Sequence, residues 1–305
     1  MNEFTEGKEK KSFIEKYAKL LVAIAVFFGA TSGSFGSLIS APAIVIGFWR
    51  LVIALPFFAV PILAKRESRD KLKAVSKESL LWSGISGVFL FLHFFCWFNA
   101  VKMTNVASAA VLASLHPLVV LIITVFIYKK KVSWKSVAAI FAAICGGAVI
   151  MCSDLDTMLG GSKFEGNLFA FGAAVFMGVY FAIGGKVRQK VEGSIYVFLV
   201  FTACAICFLI ANIATGTSIL GYPKTDYIYI ICLALLCQIG SHAMFNMCMG
   251  HVSSLYVSTW EAGDPVFSTL VAIVLVQQVP SAIEIIGCII VVSAILLYNK
   301  FERKI

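Results

Sequence analysis

The chain is 305 residues long, 60% hydrophobic and only 13% charged, with a mean hydropathy of +0.93. Soluble domains are about 45–50% apolar and about 25% charged, so 25 basic and 16 acidic side chains cannot cover this chain in water. An ordinary soluble fold is excluded, and lipid becomes the solvent for much of the surface. In lipid only helices or a closed barrel satisfy every backbone group, and the apolar runs here far exceed barrel strands.

The net charge of +9 does not point to nucleic acid, because the basic residues sit in short clusters between apolar runs rather than on one face. Residues 1–17 are polar and of mixed charge, and the first apolar run is long enough to span. No cleavable leader is expected, and this stretch reads as a cytoplasmic tail. A span needs about 20 apolar residues. The sequence predicts all-α architecture with ten transmembrane helices, over 18–38, 43–64, 80–100, 105–128, 134–152, 166–186, 193–213, 226–248, 253–277 and 280–299. Tight joints fall at 101–104 and 249–252. Five helices form a first unit over 18–152. An outer connection over 153–165 leads to a second five-helix unit over 166–299, and 300–305 is a second cytoplasmic tail.

Charge placement tests this division, because short cytoplasmic loops collect Lys and Arg. With the amino terminus inside, the inner segments hold Lys8, Lys10, Lys11, Lys16 and Lys19; Lys65, Arg66, Arg69, Lys71, Lys73 and Lys77; Lys129, Lys130, Lys131 and Lys135; Lys186, Arg188 and Lys190; and Lys300, Arg303 and Lys304. The outer loops hold only Lys102, Lys163 and Lys224, and Arg50 lies within a span. The expectation is an even number of helices, with both termini cytoplasmic, in a cell membrane. The nine cysteines, among them Cys96, Cys145, Cys204 and Cys248, lie in apolar runs and read as packing residues. The Cys204-x-x-Cys207 spacing falls mid-helix, so neither a disulfide framework nor a metal site is expected.

Shifting the chain by 148 residues places Pro117 on Pro265, Ala139 on Gly287 and Gly146 on Ala294, with helix boundaries in register. Five is an odd number, so the second copy would enter the membrane inverted. Inverted repeats with a substrate site near the midplane are a signature of secondary transporters.

Several stretches carry a family resemblance. They are Phe28-Gly29; Gly47-Phe48-Trp49-Arg50-Leu51; Phe98-Asn99-Ala100 through Ala113-Ser114-Leu115-His116-Pro117; and Asn246-Met247-Cys248 through Asp264-Pro265-Val266-Phe267. Over residues 17 to 300 the chain resembles the drug/metabolite transporter superfamily, in its EamA-type group of two five-helix repeats. That resemblance implies a ten-helix carrier of small metabolites, with helices 1–4 and 6–9 around a cavity and helices 5 and 10 peripheral. It favours export and, only together with the size of the chain, implies a bacterial inner membrane. The chain has Phe28-Gly29 where the family often has Trp-Gly, and Asp264 where it commonly has Glu before the proline.

Ionisable groups in a span cost about 2.5–3.5 kcal/mol on insertion scales, which makes each a functional candidate. On a helical wheel Ser254, Ser258, Glu261, Asp264, Pro265 and Ser268 share one face of the ninth segment, and Pro265 cannot donate to the carbonyl of Glu261. Two carboxylates beside a freed carbonyl suit a cation, a proton or an amine, or else bond a neighbouring helix. Gln238, His242 and Asn246 form an i, i+4, i+8 stripe in the eighth segment, able to read a ligand edge or to bond the ninth. His116-Pro117 stands where Asp264-Pro265 stands in the second copy, and frees the carbonyl of Ala113. His93 is a further intramembrane histidine, read chiefly as a packing residue.

Arg50 lies about 10 Å into its helix at 1.5 Å per residue and needs an anion: Asp264, Glu284 or a substrate carboxylate. Glu284 reads as reaching the outer interface. Gly29 and Gly33 have the spacing of close helix packing, with Thr31 and Ser34 as lining candidates. Trp260, beside Glu261, is the aromatic candidate for stacking on a substrate, ahead of Phe94, Phe95 and Trp97. The substrate-binding set is thus Glu261, Asp264, Gln238, His242, Asn246, Ser258, His116, Trp260, Thr31, Ser34 and Arg50, with Pro117 and Pro265 as hinges.

The expected function is secondary transport of a small organic metabolite such as an amino acid, nucleobase or cationic drug, by alternating access. No phosphate-cradling loop occurs, so the energy would come from protons, another ion or the substrate gradient. No cofactor is expected. Partners would be the substrate, a coupling ion, lipid, and a second copy through helices 5 and 10, for which Gly146-Gly147 allows close approach. The alternatives are an intramembrane enzyme, which would want an HExxH-type motif that is absent, and a channel, which would want ring-forming polar motifs.

Overall fold

Residues 12–104, 106–152, 162–276 and 282–302 are described by a computed structural model, and among them helix is the only regular structure. The helices are α1 (Phe13–Gly29), α2 (Thr31–Leu38), α3 (Ala43–Ala64), α4 (Arg66–Lys73), α5 (Lys77–Met103), α6 (Val106–Ala113), α7 (His116–Ile122), α8 (Trp134–Cys152), α9 (Ser162–Val187), α10 (Gly193–Ala214), α11 (Lys224–Cys232), α12 (Met244–Cys248), α13 (Ser254–Glu261), α14 (Asp264–Val276) and α15 (Ala282–Glu302). A π-helical stretch, Ile123–Ile127, extends α7, and another, Leu233–Ala243, joins α11 to α12. Serine caps start several of them: Ser12, Ser76 and Ser253 accept from the backbone N–H of Glu15, Ser79 and Tyr256 at 3.0–3.2 Å, satisfying donors a helix start leaves open.

Seven helical runs among the described residues are long and apolar enough to cross a bilayer: Phe13–Leu38, Ala43–Ala64, Lys77–Met103, Ala109–Ile127, Phe164–Val187, Gly193–Ala214 and Lys224–Cys248. The shorter apolar helices Trp134–Gly146 and Ile285–Tyr298 lie in α8 and α15. Large apolar side chains such as Phe57, Leu81, Ile210, Ile213, Ile289 and Leu296 stay exposed, as a lipid-facing surface requires. The exposed, polar α4 was not foreseen. It follows Pro61 in the basic loop, where Lys71 pairs with Glu67 at 2.7 Å and with Glu192 at 3.2 Å. The hydrogen bond from Lys71 holds the Glu67 carboxyl below its usual range.

Loops gather by charge at opposite ends. Residues 67–78 meet 190–192 at the basic end, through the Lys71–Glu192 pair and Lys190–Glu78 at 3.8 Å. There Arg188 donates to the carbonyls of Val191, Asn246 and Met247, placing a cation on the last carbonyls of α12, where the helix dipole favours it. At the other end Asp226 accepts from Ser40 Oγ at 2.7 Å and Ala41 N at 2.9 Å, Lys102 donates to the Ala41 carbonyl, and Trp49 Nε1 donates to Ile219 O at 2.7 Å.

The most extensive pairings join the first half of the chain to the second: α5 with α9, α8 with α15, and α3 and α5 with α10. Buried aromatic residues on these helices, among them Phe94, Phe98, Tyr180, Phe181, Phe201 and Phe208, build the core. At Gly146 a side-chain carbon would come within 2.9 Å of Val291 N and 2.8 Å of its Cγ2. The close approach expected of this glycine for a second copy is therefore spent inside the chain, between α8 and α15. The expected inner and outer boundaries at 1–17, 153–165 and 300–305 fall largely outside the described residues.

Candidate functional site

Four of the expected continuous helices are interrupted, and the interruptions converge. The first segment breaks at Ala30, the fourth at Ser114–Leu115 and the ninth at Ala262–Gly263, while the eighth loosens into the π stretch Leu233–Ala243. The breaks in the fourth and ninth segments are 148 residues apart, the offset of the sequence repeat: α6 ends at Ala113 and α13 at Glu261; α7 begins at His116 and α14 at Asp264. Pro117 and Pro265 thus occupy first turns, where proline's missing N–H and fixed φ fit, rather than helix interiors. Irregular backbone at membrane depth is tolerated only where it is buried in protein or lines a cavity.

Carbonyls at the breaks of the first and fourth segments find side-chain partners. Thr31 Oγ1 donates to Phe28 O at 2.8 Å and lies 3.2 Å from Cys237 Sγ, and Ser268 Oγ donates to Ala30 O at 3.2 Å. The His116 ring takes the carbonyl of Ala113, freed by Pro117, with Nδ1 at 2.8 Å. A methyl group at Gly29 would sit 2.8 Å from Ser241 Oγ, so glycine there lets α1 lie against the π stretch.

Between the breaks is a cavity of about 60 Å³, lined by Gly29 and Ser32, His93, Phe94 and Trp97, Ala113, Ser114 and His116, Met177, Cys237, Ser241, His242 and Phe245, and Glu261 and Asp264. That volume exceeds the roughly 10–15 Å³ one water needs and is far below the hundreds of Å³ of sites for organic ligands. At the basic end a second cavity of about 700 Å³ is lined by Tyr128, Lys130, Lys131, Lys186, Gly250, His251 and Ser254.

His116 is the centre of the polar cluster. Its Nδ1 faces the Ala113 carbonyl, and its Nε2 faces the Ser258 carbonyl at 3.1 Å and Glu261 Oε2 at 3.3 Å. Carbonyl oxygens only accept, so the arrangement suits a ring with donors on both nitrogens, the imidazolium, with the Glu261 carboxylate as counter-charge. The His116 side chain is 4% exposed and that of Glu261 19%. Asp264, one turn on, accepts from Ser268 Oγ at 3.4 Å.

Arg50 is wholly buried on α3, its guanidinium carbon 4.1 Å from the centroid of Phe94 and 5.6 Å from that of Phe98. None of its three nitrogens has a hydrogen-bond partner among the described residues, so the expected pairing with Asp264 is not formed. The Glu284 side chain lies outside the described set. Desolvating an ion costs several kcal/mol, and a desolvated cation–π contact returns about 2 kcal/mol.

The other candidates divide. Glu261, Asp264, His116 and His242 share the cavity wall. Gln238 and Asn246 do not: a wheel of 100° steps assumes α-helix, and the π stretch changes the turn per residue, bringing Cys237, Ser241 and Phe245 in beside His242. Gln238 is fully buried with neither amide atom paired among the described residues, and Asn246 Nδ2 donates to Tyr180 Oη and, at 2.8 Å, to the His242 carbonyl. Ser258 turns its hydroxyl onto Leu255 O at 3.1 Å and contributes its carbonyl instead. Trp260 lies off the cavity. It packs with Val111, Val266, Val291 and Ile295 and stands 6.3 Å from the Tyr256 ring, because on α13 it is turned about 100° from its chain neighbour Glu261. Thr31 closes the Ala30 break, Ser34 O accepts from Ser37 Oγ, and Ser32 takes the lining place, accepting from Trp97 Nε1 at 3.1 Å. The serines Ser32, Ser114 and Ser241 are lining residues that side-chain type alone did not single out, while Phe94 and Trp97, ranked behind Trp260 as stacking candidates, line the cavity in its place.

Apolar helical runs, interrupted helices and a polar cavity where the interruptions meet define a multi-pass α-helical membrane protein. The chain belongs to the EamA-like transporter family, which matches it twice, over residues 16–152 and 164–300. It is 23% identical over 291 residues to a Bacillus subtilis (strain 168) protein named "Uncharacterized transporter YxxF", a likeness covering 95% of this chain and 90% of that protein. A solved structure described as "Crystal structure of protein" has the same fold, with a TM-score of 0.73 at 19% identity over 95% of this chain and 100% of that one. The protein is therefore a membrane transporter of small molecules and not an enzyme.

Proposed function

We propose that the chain is a secondary carrier of a small organic metabolite, an exporter that works by alternating access. In this reading ten spans form two inverted five-helix repeats, and both termini face the cytoplasm of a bacterial inner membrane. The broken helices hold a midplane site, with Glu261 and Asp264 binding either the amine of the substrate or a proton exchanged for it. His116 positions Glu261, and Pro117 and Pro265 mark the hinges. His242 stands in the wall beside this centre, the Ser258 carbonyl faces His116, and Asn246 braces the backbone of His242.

The observation that carries the reading is the contact between pseudo-equivalent breaks: His116 at the start of α7 lies 3.3 Å from Glu261 at the end of α13, in a cavity that Asp264 also lines. A charged pair at that depth is costly, which favours a functional reason for keeping it. Charge-assisted hydrogen bonds are worth about 1.5–3 kcal/mol, so Glu261→Gln and Asp264→Asn should each slow transport about tenfold or more. The measurement is uptake of a metabolite panel into proteoliposomes, with and without an imposed proton gradient. Full rates in both variants would sink the carboxylate reading.

A further inference from the structure

Arg50, Gln238 and His242 form a second set of buried polar groups that the Glu261–Asp264–His116 cluster does not use. All three guanidinium nitrogens, both amide atoms of Gln238 and Nδ1 of His242 are buried without a hydrogen-bond partner among the described residues. Exposure is 0% for Arg50, 0% for Gln238 and 7% for His242. Arg50 and His242 meet at one stretch of the cavity wall, and α3, which carries Arg50, packs against the π stretch that carries Gln238. Phe94, Cys237 and His242 line the cavity, and Arg50 packs on Phe94 at 4.1 Å while the His242 ring meets the same phenyl at 4.8 Å and 87°. Gln238 follows Cys237 in the chain. Among the described residues the titratable groups that interact with Arg50 are Cys204, Cys237, Tyr180, His93 and His242, none of which is an anion at pH 7 at its ordinary value.

We propose that Arg50 and Gln238 form a monoanion site behind Phe94, opened to the central cavity by rotation of that ring. The chemistry that fits is a carboxylate, whose two oxygens match the guanidinium fork, with the Gln238 amide as a further donor. The anion comes either as a carboxylate on the transported molecule or as a free halide. Phe94 is the partition. With its ring turned aside, the anion end and the Glu261–Asp264 end become one elongated site. The inference rests on the carrier reading of the central cavity and extends it to a second pole of the ligand.

The test uses the purified full-length chain and compares binding of free amino acids with binding of their carboxamides, which keep the amine and lose the negative charge. Wild type should bind at least one acid about tenfold more tightly than its amide. Arg50→Gln should bind the two alike, with amide affinity retained. Gln238→Met keeps the guanidinium and should narrow the preference, which guards against a folding defect in the arginine variant. In a parallel arm, melting temperature is read in sodium chloride against sodium sulfate at equal ionic strength. Chloride stabilisation that Arg50→Gln abolishes, with acid and amide bound alike, assigns the site to a free halide. Should no panel member bind, the chloride arm alone decides. Retained acid preference in both variants, or a wild type indifferent to both the carboxylate and chloride, would overturn the anion site. Binding of amides that Glu261→Gln abolishes would leave the carrier reading standing in that event, whereas amide binding indifferent to Glu261→Gln counts against that reading alone.

Discussion

His116 joins the two halves of the polar cluster through three oxygen partners: two backbone carbonyls and the Glu261 carboxylate. A glutamine at this position has one amide nitrogen and cannot reach all three. His116→Gln should therefore lower transport by about tenfold, the loss expected of a charge-assisted bond, in a flux assay with retained monodispersity as the folding control. Trp260→Phe should transport at wild-type rates, since the indole packs against Val111, Val266 and Ile295 away from the cavity. Substituting Gly29 with Val would push a side chain into Ser241, and overpacking of this kind costs about 1–3 kcal/mol, read as a lower melting temperature. Glu261, Asp264 and His116 were legible in the sequence because an ionisable group in an apolar run is conspicuous by its cost. Arg50 was equally conspicuous, but that its nitrogens find no partner among the described residues follows from packing, which no spacing encodes. Ser32 and Ser241 were hidden because a serine in such a run is equally at home bonding its own helix.

Helical elements were legible as stretches and illegible as breaks. Among the described residues, helix occupies most of every predicted stretch, and seven runs are long and apolar enough to span, since long apolar runs bounded by charge leave the backbone few alternatives in lipid. The wheel over 253–277 failed at Ala262–Gly263, and the stripe Gln238–His242–Asn246 failed in the π stretch, because both assumed constant turn per residue. The prolines did carry the signal for two of the breaks. Pro265 sits in the first turn of α14, where alanine fits equally well. Pro265→Ala should thus change stability by less than about 1 kcal/mol while allowing α13 and α14 to join, and the expected result is slower transport with an unchanged melting temperature. Equal flux would remove Pro265 from the hinge. The polar α4 escaped notice because its charges were read only as topology.

Across the whole molecule, one end is fastened and the other holds the larger cavity. Ser40, Ala41, Lys102 and Asp226 form the fastening, while about 700 Å³ lies open among Lys130, Lys186 and His251. If the fastened end must release for turnover, a Ser40→Cys, Asp226→Cys pair should stop transport when oxidised and restore it on reduction, measured in the same liposomes. Uninterrupted flux with the bond formed would mean this end stays shut throughout. The repeat at 148 residues was visible in the sequence, but its spatial meaning was not. The copies lie interleaved, with α5 clasped by α9 and α10, and α8 against α15.

That interleaving has a consequence for how the gene can be cut. Neither half encloses a core of its own, so a fragment ending in the 153–161 connector should be degraded when made alone. Co-expressed, the two fragments should rescue each other and reassemble a working carrier, like the subunits of a heterodimer whose linker happens to be peptide. Gly146 predicts where such a reunion fails first: a leucine there would wedge the seam between α8 and α15, and in the split protein no connecting chain would hold the partners together while they adjusted.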